Sequence, residues 1–186
     1  PIGDLDEDEI AISAIGDGTG ASDAPFDLPP PISGLRRQLL LTRLVLAFER
    51  RNASPDQAAR LAAELARLLD QVQTERLSLA DLGDLVPDRY AAHWQITLSF
   101  LRLLTERWPE ILAEEDCLDP ADRRNRVLEA QAERWRVETP EAPGIAAGST
   151  GSIPATADLL GIVAQLPNGS VVLPGLDLDA GPEAWS

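Results

Sequence analysis

Lysine and methionine are missing from these 186 residues altogether, and all sixteen positive charges are arginine. Without lysine there is no GxxxxGK[ST] phosphate loop, no Schiff-base amine and no nuclease site that sets a lysine beside its carboxylates. The single cysteine, Cys117, rules out an internal disulfide and a cysteine-rich zinc site. A lone histidine, His93, rules out a multi-histidine metal site and a two-histidine relay. No apolar run reaches the ~18 residues of a membrane helix; the richest, Leu39–Phe48, is broken by Thr42 and Arg43. The scarcity of thiols fits a reducing cytosol.

What is abundant is negative charge. Thirty-one acidic residues leave a net charge of −15, which argues against tight autonomous binding to nucleic acid and suits a basic partner protein. The apolar fraction of 44% is ordinary and permits a core. The chain opens on Pro1 rather than Met, and we read it as an internal piece of something longer.

Three regions follow from the pattern. Residues 1–32 form an acidic, Gly- and Pro-rich lead and linker, with a strand expected over Ile10–Ile15. Pro29–Pro31 reads as a lead-in to the first helix or as an extended ligand for a proline-binding domain. Residues 33–138 carry four to five helices. Ser33 caps a helix over Gly34–Arg51, with Leu35, Leu39, Leu40, Leu44, Val45, Ala47 and Phe48 as its apolar residues. Ser54-Pro55-Asp56-Gln57 is a capping box with proline at the first helical position. The helix runs to about Thr74, with Ala58, Leu61, Ala62, Leu65, Leu68, Leu69 and Val72 on one face. A short helical turn is expected over Ser78–Leu82. Tyr90–Ala113 gives a long helix that Pro109 kinks or splits near Arg107. Trp94, Phe100 and Trp108 fall near helical spacing, so they read as core rather than as a base-stacking platform. Asp119-Pro120 caps and starts a helix to Val137.

Residues 139–186 hold a βαβ unit. Ile145–Ala147 and Val171–Leu173 read as buried parallel strands joined by a helix that starts at Pro154 and stops at Pro167-Asn168-Gly169. Two such strands need cover on both faces and further strands beside them. The expected fold is therefore mainly α with a C-terminal βαβ unit, the helices forming an insertion in a larger α/β domain.

Two sets of residues are candidates for contact with nucleotide or DNA. Gly148, Ser149, Thr150, Gly151 and Ser152 fill a strand-to-helix transition, where backbone can approach closely and free N–H groups favour an anion. The same residues also suit a tight turn that needs small side chains. Arg36, Arg37 and Arg43 lie along one helix, as a phosphate-contacting face or as solvated charge pairs. No paired carboxylates stand near the loop to hold magnesium, and the only base in the chain of the right kind is His93. No catalytic residue and no metal ligand is assigned.

Four stretches carry a resemblance: Arg36-Arg37-Gln38-Leu39-Leu40-Leu41; Ala58–Glu75; His93-Trp94-Gln95-Ile96-Thr97-Leu98 with Phe100-Leu101; and Ile145–Asp177 with GSTGSIPATADLL and VVLPGLD. Together, from about Pro29 to Asp177, they resemble the AddB family of double-strand break repair proteins in its alphaproteobacterial form. The resemblance implies a cytoplasmic subunit of the AddAB helicase–nuclease, which resects broken DNA ends for recombination. It implies a helicase-like, RecA-like core interrupted by a helical insertion. It also implies DNA ends and an AddA-type subunit as partners, no membrane, and ATP and a divalent metal elsewhere in the complex rather than in these residues. The competing expectation is an acidic helical module that binds another protein and has no direct role with DNA.

Overall fold

A computed structural model describes residues 28–48, 54–78 and 91–175; for 91–100, 102 and 103 it describes the backbone alone. The expected strand over Ile10–Ile15 and turn over 79–82 lie outside these residues. The order is α1 (Gly34–Phe48), α2 (Pro55–Thr74), α3 (Ala91–Glu114), α4 (Pro120–Val137), β1 (Gly144–Ala147), α5 (Pro154–Val163) and β2 (Gly169–Val172). Among the described residues the chain is mostly helical with one small parallel sheet. It divides into two compact units, and the division falls inside α4, after Arg126.

The first unit is built on α1, α2 and α3. In α1 the buried residues are Arg37, Leu40, Leu41, Leu44 and Val45, spaced i, i+3, i+4, i+7 and i+8. Leu35 and Leu39, expected in the core, stand 73% and 52% exposed because they fall on the opposite side of the helix. In α2 the capping box forms as expected. Gln57 N–H donates to Ser54 Oγ, and Ser54 N–H donates to Gln57 Oε1. Ala58, Ala62, Leu65 and Leu69 then face inward, with two alanines letting α1 approach closely.

Pro109 does not split α3, which runs unbroken from Ala91 to Glu114. Leu104, Trp108 and Leu112 lie four residues apart and are all buried in the same cluster as α1 and α2. The apolar stripe thus stays in phase across the proline, and the loss of one backbone donor is offset by packing on both sides. After α3 the chain reverses through Asp116, whose φ of +52° closes the helix, and Cys117 N–H donates to Leu112 O. Leu118 then pairs with Pro31 as a parallel bridge: Ile32 N–H donates to Leu118 O at 2.9 Å and Leu118 N–H to Pro30 O at 3.0 Å. Arg123 Nε donates to Pro29 O at 3.0 Å. The proline run is therefore the lead-in to α1, clipped to the turn before α4.

The second unit contains the βαβ element. Its strands pair in parallel, with Gly144 opposite Gly169 and Ala147 opposite Val172. The strands start earlier than the apolar runs suggest, and Leu173 falls beyond β2. Nor are they buried on both faces. Burial alternates along each strand, leaving Ile145 74% and Val172 55% exposed on one side while α5 packs against both strands. Among the described residues the sheet has two strands. Gly169 permits the return of the chain from α5: a Cβ there would lie 1.8 Å from Val163 O.

Candidate functional site

The loop between β1 and α5 is held by its own small residues. Gly148 and Gly151 have φ of +80° and +66°, values that other residues adopt only with strain. Gly148 N–H donates to Val172 O at 3.1 Å, tying the loop to the end of β2. Gly151 N–H donates to Ser149 Oγ at 3.3 Å, and the Thr150 and Ser152 hydroxyls lie 3.3 Å apart. Two of the loop's backbone donors are thus already spent, one on the end of β2 and one within the loop. The hydroxyls of the exposed Thr150 and Ser152 are what it presents to solvent. Helix α5 begins at Pro154 with Ile153 at the cap position and no side-chain capping bond. In its first turn Thr156 is 3% exposed, and its Oγ1 has no hydrogen-bond partner. This arrangement can hold an anion by hydroxyl donation. Among the described residues no carboxylate pair stands beside it for hydrolysis, and no acidic, histidine or cysteine cluster could hold a metal.

The three arginines of α1 do not share one face. Arg36 and Arg43, seven residues apart, are both exposed; Arg37, a third of a turn away, is 6% exposed. This removes Arg37 from the phosphate-contacting set. Its Nε lies 2.8 Å from Asp119 Oδ1 and its Nη1 2.8 Å from Asp70 Oδ1, ion pairs whose angles fall short of hydrogen bonds. Arg36 forks onto Glu115, with Nε 2.8 Å from Oε2 and Nη2 2.5 Å from Oε1. The Arg36 hydrogen bonds pull the Glu115 carboxyl below its ordinary value; partial desolvation opposes this, and the charges of Arg36 and Arg43 add to the lowering.

A folded value below the unfolded one means stability that is present above the unfolded value and lost as pH falls through the folded one. Glu115→Gln is therefore expected to flatten the acid side of the stability curve, below the usual carboxylate range. Urea midpoints between neutral and acid pH check this; an unchanged acid slope would remove Glu115 as a contributor.

Sequence reasoning missed the polar centre of the first unit. Asp119, expected as a cap, is fully buried, and its Oδ2 accepts Trp108 Nε1 at 2.7 Å and Gln73 Nε2 at 2.8 Å. Asn125 Nδ2 donates to Gln73 O at 2.6 Å, and Arg124 Nη2 to Thr74 Oγ1 at 2.6 Å. The cluster ties α1, α2, α3 and the start of α4 to one carboxylate. It is enclosed, so it is structural rather than a ligand site. The side chains of His93 and Trp94 lie outside what is described.

Chemically, the fold is a helical unit plus a two-stranded βαβ unit, with hydroxyl- and arginine-bearing surfaces and no reaction centre among the described residues. No protein family matches the chain, and no curated protein or solved structure matches it either. No helix among the described residues is long and apolar enough to cross a membrane.

Proposed function

We propose that the chain is a non-catalytic, helicase-like segment of an AddB-type subunit, working with an AddA-type helicase–nuclease on broken DNA ends in the cytoplasm. In this reading the helices are an insertion and β1–α5–β2 is part of a RecA-like sheet. ATP and a divalent metal belong to other parts of the complex. The observation that carries the reading is the β1–β2 pair: two parallel strands, covered by α5 on one side and apolar but open at Ile145 and Val172 on the other. Parallel strands normally have both faces covered and lie within larger sheets, so such a pair suits a part of an α/β domain. The GSTGSIPATADLL stretch, which carries the resemblance most specifically, is the loop and helix of this same unit.

DNA contact is assigned to Arg43, Arg36 and the exposed hydroxyls of Thr150 and Ser152. The purified chain is expected to associate with an AddA-type subunit, to hydrolyse no ATP and to cut no DNA. Its binding to a duplex end should be weak and should fall steeply with salt, and Arg43→Gln should lower that salt slope by about one. ATP hydrolysis by the chain alone, or no association with the AddA-type subunit, would overturn the reading.

The second reading, an acidic helical interaction module, is favoured by the enclosed core and polar centre of the helical unit. It predicts a cooperative transition for the helical unit that does not depend on Ile145 or Val172.

A further inference from the structure

Among the described residues, seven of the eight buried side-chain atoms without a hydrogen-bond partner belong to one cluster, the polar centre of the first unit. Three of them, Arg37 Nε, Asp70 Oδ1 and Asp119 Oδ1, stand in the two 2.8 Å ion pairs of Arg37. The other four have no such pairing: Arg37 Nη2 and Arg124 Nε are donors, Gln73 Oε1 and Asn125 Oδ1 are acceptors. The two amide oxygens are fixed in place by what their nitrogens do. Gln73 Nε2 donates to Asp119 Oδ2 at 2.8 Å and Asn125 Nδ2 to Gln73 O at 2.6 Å. Exchanging oxygen and nitrogen in either amide would set two acceptors against each other. Buried polar groups in folded proteins are nearly always bonded, to protein or to ordered water.

We propose that the polar centre encloses structural water, which donates to Gln73 Oε1 and Asn125 Oδ1 and accepts from Arg37 Nη2 and Arg124 Nε. The occupant must be both donor and acceptor, and it must be neutral. Two arginines and two aspartates balance within the cluster, so it offers an ion of either sign no net attraction. Water meets both conditions, and internal waters typically make about three bonds to groups with no other partner. The water joins Arg37 of α1 to the last turn of α2 and the first turns of α4. It is a fixed part of the fold and does not screen charge as bulk solvent does, so the Arg37–Asp119 pair stays a buried one. Thr156 is the contrasting case. Its Oγ1 is the eighth atom, and Ala155, Leu160 and Val163, buried with it on α5, are all apolar. A lone hydroxyl does not supply the two to four polar partners that an internal water needs, so none is placed there. The inference stands independently of the repair assignment.

The experiment reads water directly, in the full chain. In nuclear magnetic resonance spectra, cross-relaxation between water and the side-chain amide protons of Gln73 and Asn125 should carry the sign of a water that tumbles with the protein. Magnetic relaxation dispersion of the solvent counts such waters. Asn125→Leu removes one acceptor and fills the space with methyl groups, so the dispersion amplitude should fall by about one water equivalent and the Gln73 cross-relaxation should vanish. Thr156→Val is the control. It should leave the amplitude unchanged and the thermal midpoint equal or higher, because losing an unpaired buried hydroxyl for a methyl of the same shape removes no bond. An unaltered chain without the water cross-relaxation would overturn the proposal. So would an unchanged amplitude in folded Asn125→Leu, or an equal fall in Thr156→Val. If Asn125→Leu fails to fold, the cross-relaxation of the unaltered chain decides alone.

Discussion

Asp119→Ala is expected to cost the helical unit about 3–5 kcal/mol, the range for breaking a buried ion pair by removing one partner. The Asp119 carboxylate is fully buried and serves Arg37, Trp108 and Gln73 together. Alanine there leaves a guanidinium that is 6% exposed with Asp70 as its one remaining ion-pair partner among the described residues, and strands the Trp108 and Gln73 donors. Asp119→Asn keeps an acceptor for one of them but loses the charge opposite Arg37, so it should fall between. The double change Arg37→Met/Asp119→Leu removes both charges and should recover the part of the loss due to the unpaired guanidinium, while the stranded Trp108 and Gln73 donors keep the rest. Urea unfolding followed by helical circular dichroism distinguishes these outcomes. If Asp119→Ala costs under about 1 kcal/mol, water reaches the cluster and the burial argument fails.

Gly169→Ala should be nearly as damaging, through geometry alone. The added Cβ would meet Val163 O at 1.8 Å and Leu166 Cβ at 2.9 Å. The first of these is backbone, which no rotamer change relieves, so β2 must move away from the end of α5. We expect about 3 kcal/mol or more, the top of the range for overpacking, with the β1–β2 pairing lost first. Gly161→Ala is the internal control. It lies within α5, its Cβ meets nothing within 4 Å, and it should instead stabilise by about 0.5–1 kcal/mol. Amide hydrogen exchange of residues 144–147 and 169–172 would report both effects; wild-type protection in Gly169→Ala would refute the close approach.

Much of this architecture could be read from local chemistry. Ser54-Pro55-Asp56-Gln57 started α2 where expected, because a capping box and an N1 proline act within one turn. Pro154 likewise set the start of α5. The misreadings arose where neighbours decide. Leu35 and Leu39 look like core by composition, yet the i, i+3, i+4, i+7 series that closes on the bundle is Arg37, Leu40, Leu41 and Leu44. An arginine sitting in phase with an apolar stripe was the available signal that Arg37 turns inward to a carboxylate. Asp119 gave no such signal, since Asp-Pro is equally a cap, and its partners come from 82, 46 and 11 residues away. The open side of the sheet was hidden because Ile145, Val172 and Leu173 are apolar wherever they point. Of the candidate site, the loop and its glycines were legible from residue type; the internal use of the Gly148 and Gly151 N–H groups was not.

The clip between the proline run and the turn before α4 holds the entry and the exit of the three-helix segment side by side. Leu118 N–H donates to Pro30 O at 3.0 Å, so the backbone arrives and departs within one hydrogen bond's reach, with residues 31–117 between. A host protein can receive such a cassette in a surface loop with little added closure entropy, because the two stems are already neighbours.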